Sequence, residues 1–264
     1  MNITVLIKQV PASSDIGVDE ETGVILRDSG STKMNPYDLY ALETALRIRE
    51  ETGGKITVLT MGPPQAEQAV REAYMMGADA GYLLTDRAFA GSDVLATSYA
   101  LSQALTHIGL GDLIICGKQT TDGDTAQVGV ECSEFLGIPC MTNVKRIVDI
   151  LPEAISIESD MGMTVERVRV TYPCLIAVDK DICQPRLPSY RKKQATALRP
   201  VEQLALKDLK DQDTANYGLT GSPTHVIKIF PPTHSSTHEM WDGEQLAERL
   251  FSLLRDEKYL QEHV

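Results

Sequence analysis

The sequence predicts an α/β fold: a doubly wound, mostly parallel sheet with helices on both faces, a β-hairpin addition and an extended C-terminal arm. Short β-branched apolar runs alternate with helical-period segments four times between Ile3 and Leu136, the pattern of a parallel sheet with crossover helices. Beyond Met141 the chain changes to apolar–polar alternation, which marks antiparallel strands. After Asp181 it loses both rhythms, and prolines and charges take over.

Taken in order, Ile3–Val10 reads as the first strand, followed by a polar excursion from Ser13 to Lys33 in which Gly23–Asp28 forms a small hairpin arm. Asn35 as N-cap, Pro36 at the first helical position and Asp38 in the first turn open a helix. Leu39, Leu42, Leu46 and Ile48 keep its spacing until Gly53-Gly54. Strand Lys55–Met61, helix Gln65–Met76, strand Gly81–Leu84, helix Asp93–Ile108, strand Leu113–Cys116 and helix Thr125–Leu136 continue the alternation. Ile155–Glu158 and Thr164–Thr171 flank Met161-Gly162-Met163 as a hairpin, and Cys174–Val178 is one more buried strand.

The organisation expected is a nucleotide-binding α/β domain over 1–183 and a loop with a C-terminal arm over 184–264. Pro185, Pro188, Pro200 and the cluster Arg191-Lys192-Lys193 make an extended surface segment. A short helix near Glu202–Leu209, a strand Val226–Phe230 and a last helix Gly243–Leu254 follow. This tail is too thin to bury its own apolar residues, so it packs back on the domain or embraces a partner chain.

Composition narrows the function. A net charge of −12 and a single tryptophan disfavour nucleic acid, whose phosphates most of this surface would repel. No run approaches the roughly 18–20 apolar residues of a membrane helix, and MNITVLIKQVP reads as a strand rather than a signal peptide. Five cysteines without a Cys-x-x-Cys pair point to reduced thiols in the cytoplasm and to no metal cluster. His234 and His238 stand four apart, but Pro231-Pro232 breaks a helix there and no third ligand is evident, so no metal is expected.

The loop Cys116–Gly129, CGKQTTDGDTAQVG, carries most of the chemistry. In a doubly wound sheet ligands bind beyond the carboxyl ends of the strands, so Lys8–Pro11, Met61–Pro64, Thr85–Ser92 and Gly117–Asp124 face one site. A helix opening at Thr125 offers free N–H groups and a positive dipole end to a phosphate. Gly117 and Gly123 permit close approach and positive φ. Asp122 and Asp124 oppose an anion unless they face ribose hydroxyls, cap the helix or hold water. Neither a G-x-G-x-x-G fingerprint nor a P-loop is present. The residues alone leave two readings: a nucleotide seat, or a polar strand-to-helix turn.

VLIKQVP near the start, MNPYDLYALETALRIRE, AYMMGAD and CGKQTTDGDTAQVG together resemble the small (beta) subunit of electron-transfer flavoproteins, over about residues 1–200. The resemblance implies an adenine-nucleotide site at Leu6, Asn35, Pro36, Tyr37, Asp38, Met61, Gly117, Lys118, Gln119, Thr120, Thr121, Asp122, Gly123, Asp124, Thr125, Ala126, Gln127 and Val128. It also implies an alpha-subunit partner carrying its own FAD. The segment Thr85–Thr97 is similar to the electron-bifurcating branch, which implies FAD in this chain, with Phe89, Ala90, Gly91, Ser92 and Asp93 beside the flavin. NADH is then the donor, and a dehydrogenase and ferredoxin the acceptors. The housekeeping branch implies a structural AMP instead. No acid or base is needed, so no residue is assigned as catalytic. Pro185–Lys193 corresponds to the loop that docks a partner dehydrogenase. Tyr190 stands where acyl-CoA dehydrogenase-coupled members carry leucine, which brings a lactate-type dehydrogenase into view beside the acyl-CoA type. A stand-alone nucleotide-binding sensor is the alternative of another class.

Overall fold

A computed structural model describes residues 1–12, 32–227, 240–243, 245–257 and 259. Met1–Lys228 and Ile229–Val264 are two compact units. The first contains a nine-stranded sheet. Its strands are β1 (Asn2–Leu6), β4 (Lys55–Met61), β5 (Ala80–Leu84), β6 (Leu113–Gly117), β7 (Cys140–Ile150), β8 (Ala154–Asp160), β9 (Val165–Thr171), β10 (Cys174–Val178) and β11 (Glu202–Leu204), in the order β11-β5-β4-β1-β6-β10-β7-β8-β9. Pairing is parallel from β11 through to β7 and antiparallel along β7-β8-β9.

The helices α1 (Pro36–Thr52), α2 (Glu67–Met76), α3 (Val94–Ile108) and α4 (Val128–Leu136) divide between the two faces. Val5, Val58, Ile115 and Ile176 pack with Leu42 and Leu46 of α1 and Val70 of α2. The residues next to them in each strand, Leu6, Leu59, Ile114 and Leu175, pack on the other side with Leu101 and Leu105 of α3 and Cys132 of α4. Strands covered on both faces need apolar residues in succession, which is why these runs read as continuous rather than alternating. Each such leucine or isoleucine contributes about 1.5–3 kcal/mol by leaving water.

Topology sets the site. The chain moves outward from β1 through β4 to β5, then crosses back to lay β6 on the opposite side of β1. That reversal opens a crevice beyond the carboxyl ends of β1 and β6.

Several elements differ from the sequence reading. The first strand ends at Leu6; β2 (Gln9–Pro11) turns away to pair with β3 (Thr32–Met34), while Gly23–Asp28 lies outside the described residues. Helix α4 starts at Val128, not Thr125, because Asp124 (φ 50°) and Ala126 (φ 56°) are left-handed. Strand β7 was not foreseen. Glu202–Leu209 is the edge strand β11 and a single 3-10 turn instead of a helix. The extended segment contains a short helix, α5 (Tyr190–Ala195), capped by the Ser189 hydroxyl. Val226 and Ile227 are not in a strand, and 228–230 lie outside the described residues. Helix α6 (Leu246–Asp256) belongs to the second unit.

Candidate nucleotide site

Asp38 ties the crevice together. It is buried in the first turn of α1 and accepts from the Lys8 amide after β1 (2.7 Å) and from Asn35 Nδ2 (3.0 Å). Burial pushes its carboxyl up to about 7, against the Asn35, Lys8 and Gly117 donors, which pull it down. Asn35 stands at the N-cap position, yet its side chain does not cap α1. Its Nδ2 also donates to the Gln119 carbonyl (2.9 Å), and its Oδ1 accepts from the Thr121 amide (3.3 Å). The helix start is thereby bonded to the loop that follows β6. Gly117 is required by this packing: a Cβ there would stand 2.6 Å from Asp38 Oδ1 and 2.6 Å from Tyr37 Cβ. Its φ is not left-handed, and neither is that of Gly123. The close approach expected of Gly117 is to α1.

The loop beyond is open. Residues 121 to 127 are all exposed. Asp124 donates its amide to the Thr120 carbonyl (3.0 Å), whereas among the described residues the amides of Asp122, Gly123, Thr125, Ala126 and Gln127 make no hydrogen bond. Left-handed Ala126 precedes right-handed Gln127 (φ −110°, ψ −23°), a sequence of conformations that makes successive amides converge on an anion. The two aspartates are already engaged. Asp122 Oδ1 accepts from Lys8 Nζ (2.8 Å), and Asp124 Oδ1 from Gln119 Nε2 (2.6 Å). Lys118 turns toward β10, where its Nζ pairs with Asp179 (3.0 Å). Lys8, which opens the Lys8–Pro11 segment expected at this site, and Asp179 belong to the site's framework; Asp179 and the pairing of Lys8 with Asp122 were not foreseen. Nothing local marks them, since Lys8 lies 114 positions from Asp122.

Leu6 is buried at the end of β1, Met61 is half-buried at the end of β4, and Pro36 and Val128 begin their helices. The turn after β5 lies three strand positions from β6, about 14 Å at the usual spacing. There Phe89 is a core residue, 5% exposed and edge-on to Tyr217 with ring centroids 5.5 Å apart. Ala90 and Gly91 are exposed, and Gly91 has φ +74°. The Ser92 amide is directed at the Phe89 carbonyl and the Asp93 amide at Ser222 Oγ, so neither is free. Asp93 caps α3, through Oδ1 to the Ala96 amide.

Residues 184–199 lie against α1 and α2. Glu43, 3% exposed, accepts from Arg186 Nε (2.7 Å) and Arg47 Nε (2.9 Å), while Arg186 Nη1 reaches Glu50 (2.7 Å). Burial raises the Glu43 carboxyl, but these guanidinium bonds outweigh it and the net shift is downward. Leu187 and Tyr190 remain exposed on this anchored segment. Among the described residues no helix is long and apolar enough to cross a membrane, and no His/Cys/Asp/Glu group could hold a metal ion. His234 and His238 lie outside them.

Residues 22–209 match the family profile described as the electron transfer flavoprotein domain. The chain belongs to the electron transfer flavoprotein family. Its relatives place it on the beta-subunit side. It is 43% identical over 265 residues to an electron transfer flavoprotein subunit beta of Thermoanaerobacterium thermosaccharolyticum, an alignment covering 96% of this chain and 98% of that one. An electron transfer flavoprotein subunit beta of Megasphaera elsdenii is 40% identical over 244 residues, covering 89% of each. Protein FixA of Azorhizobium caulinodans is 44% identical over 239 residues, covering 88% of this chain and 85% of the relative.

Proposed function

We propose that this chain is the beta subunit of a heterodimeric electron transfer flavoprotein that binds FAD in the crevice, takes electrons from NADH, and passes them through an alpha-subunit FAD to a partner dehydrogenase and to ferredoxin. The observation that carries the nucleotide is the run of unbonded amides between Asp122 and Gln127, with the nearby carboxylates already paired. Donors left unmade in an ordered loop are suited to a phosphate. Asp38 and Asn35 hold that loop in register with α1. Gly91 and Ala90, both exposed and about 14 Å away across the sheet edge, offer a place for a ring.

FAD, when bound, supplies the two-electron and one-electron chemistry. The chain's own residues orient it: loop amides receive the diphosphate, and the turn after β5 faces the other end. A second reading has one observation in its favour. With Phe89 in the core and the Ser92 and Asp93 amides already used, the unbonded donors among the described residues of the two segments lie mainly in the loop after β6, and AMP needs no more than those.

Partner docking follows from exposed apolar surface. On α6, Leu246, Leu250 and Leu253 fall on one helical stripe and all are exposed, with Phe251 beside them. We assign that stripe to the alpha subunit. Leu187 and Tyr190, carried by the Arg186 anchor, serve the dehydrogenase, of lactate or acyl-CoA type. The test is NADH titration of the assembled heterodimer under anaerobic conditions. Bleaching of the flavin absorbance supports the proposal, and a spectrum that does not respond to NADH contradicts it.

A further inference from the structure

The turn at 88–93 is held by a stretch to which the sequence reading gave no role. The Leu219 amide donates to the Ala90 carbonyl (3.0 Å). Gly218 lies so close to the Ala88 and Ala90 carbonyl oxygens that no Cβ would fit. Ser222, 4% exposed, stands at the centre of this contact. Its Oγ accepts from the Asp93 amide (2.8 Å) and donates to the Gly218 carbonyl (2.7 Å). Asp93 keeps Oδ1 for the α3 cap and uses Oδ2 to accept from both the amide (3.0 Å) and the hydroxyl (2.7 Å) of Thr224.

One side-chain oxygen is enough to cap a helix. The additional bonds do something else: they fix the shape of an exposed turn. Against that turn stands Leu219, 58% exposed, with Cβ and Cδ1 3.4 Å from where a Cβ on Gly91 would be. A leucine held in water over a glycine turn, at the ligand-binding edge of the sheet, is a built apolar surface without a covering residue among those described.

We propose that residues 217–224 form a strap belonging to the cofactor site, with Ser222 as the positioning residue that shapes the 88–93 turn and Leu219 as the apolar contact for a flavin ring. This rests on the FAD reading above. The strap thus decides whether the crevice accepts a flavin nucleotide or only its adenylate half, because the loop after β6 already suffices for the latter.

The experiment uses the heterodimer stripped of its nucleotides, in wild type, in Ser222→Ala with Thr224→Val, and in Leu219→Ala. FAD and AMP affinities are measured by titration, and hydrogen exchange is followed at residues 88–93. We expect the double variant to weaken FAD binding to this chain about tenfold, the scale of one or two lost hydrogen bonds, with AMP affinity unchanged and faster exchange in the turn. Leu219→Ala should weaken FAD alone, with exchange unchanged. Faster exchange with unaltered FAD affinity would make the strap structural only and overturn the proposal, and so would an equal loss of FAD and AMP. A wild type that takes AMP and refuses FAD overturns the cofactor reading as well, and it is told apart because it appears before any substitution.

Discussion

The loop after β6 and the turn after β5 leave the same edge of one sheet, and their hydrogen bonding differs. Between Asp122 and Gln127 five amides make no hydrogen bond among the described residues, and every residue is exposed. Between Asp86 and Asp93 the amides of Ala88, Phe89, Ala90, Ser92 and Asp93 have acceptors in the chain, while among the described residues those of Asp86, Arg87 and Gly91 have none. A site for a charged phosphate needs donors held in reserve, since a donor already satisfied contributes little more. A site for a flat, mostly apolar ring needs a fixed shape, and shape comes from bonds already made. On the proposal above the two loops hold the two ends of one molecule, each by the means suited to it.

The largest expected effect separates framework from contact within the first loop. Gly117→Val should destabilise the fold by about 2–3 kcal/mol, the cost of overpacking, because its Cβ meets Asp38 and Tyr37. The urea midpoint should fall and bound nucleotide disappear with it. Gly123→Val meets only Thr120 Oγ1, at 3.2 Å. It should keep the wild-type midpoint and lose nucleotide through obstruction of the free amides. Equal midpoints for the two variants would show that the glycines do not divide the work in this way.

Asp38 gives a pH test of the framework. Its folded carboxyl stands at about 7 against an ordinary 3.8, so over that interval the folded protein holds a proton the unfolded chain gives up. The sign follows: this contribution to stability is fully present below about pH 4 and is lost as pH rises through 7. In Asp38→Asn the stability curve should be flatter from pH 4 to 7 than in wild type. Parallel curves would contradict the assignment.

A smaller effect belongs to Lys8, whose ammonium occupies Asp122 (2.8 Å). Lys8→Gln returns an uncompensated carboxylate to the phosphate loop. Nucleotide affinity should fall about fivefold at low salt, in line with a partly exposed charge pair worth ~1 kcal/mol, and the difference should shrink as salt is added. A loss that persists unchanged in high salt would point to some other role for Lys8.

Where local physics decides, the sequence was legible. Lys55–Met61 and Cys174–Val178 have the predicted bounds because short runs rich in β-branched and apolar residues, set between turn residues, read as strands. Cys140–Ile150 escaped notice because its pairing with β8 shifts register between Val144 and Arg146 and again between Ile147 and Asp149, which scrambles the period-two pattern. Tyr190–Ala195 is six residues long with none buried, too short to show helical spacing. The α4 start was misplaced because nothing in an alanine announces a left-handed backbone, and Ala126 adopts one. In the site, Asn35, Asp38 and the glycine-rich loop could be named from motifs. The Lys8–Asp122 pair and the strap through Ser222 join residues more than a hundred positions apart, and only the folded sheet brings them together.

The central claim is that this chain holds FAD, and the most direct measurement is the nucleotide content of the intact heterodimer. The protein is co-purified with its alpha subunit and denatured, and the released nucleotides are separated and counted against protein. Two FAD per heterodimer and no AMP are expected, with the second FAD lost when Gly123→Val closes the loop. One FAD with one AMP per heterodimer would contradict it, leaving the free amides of Asp122 to Gln127 to an adenylate alone.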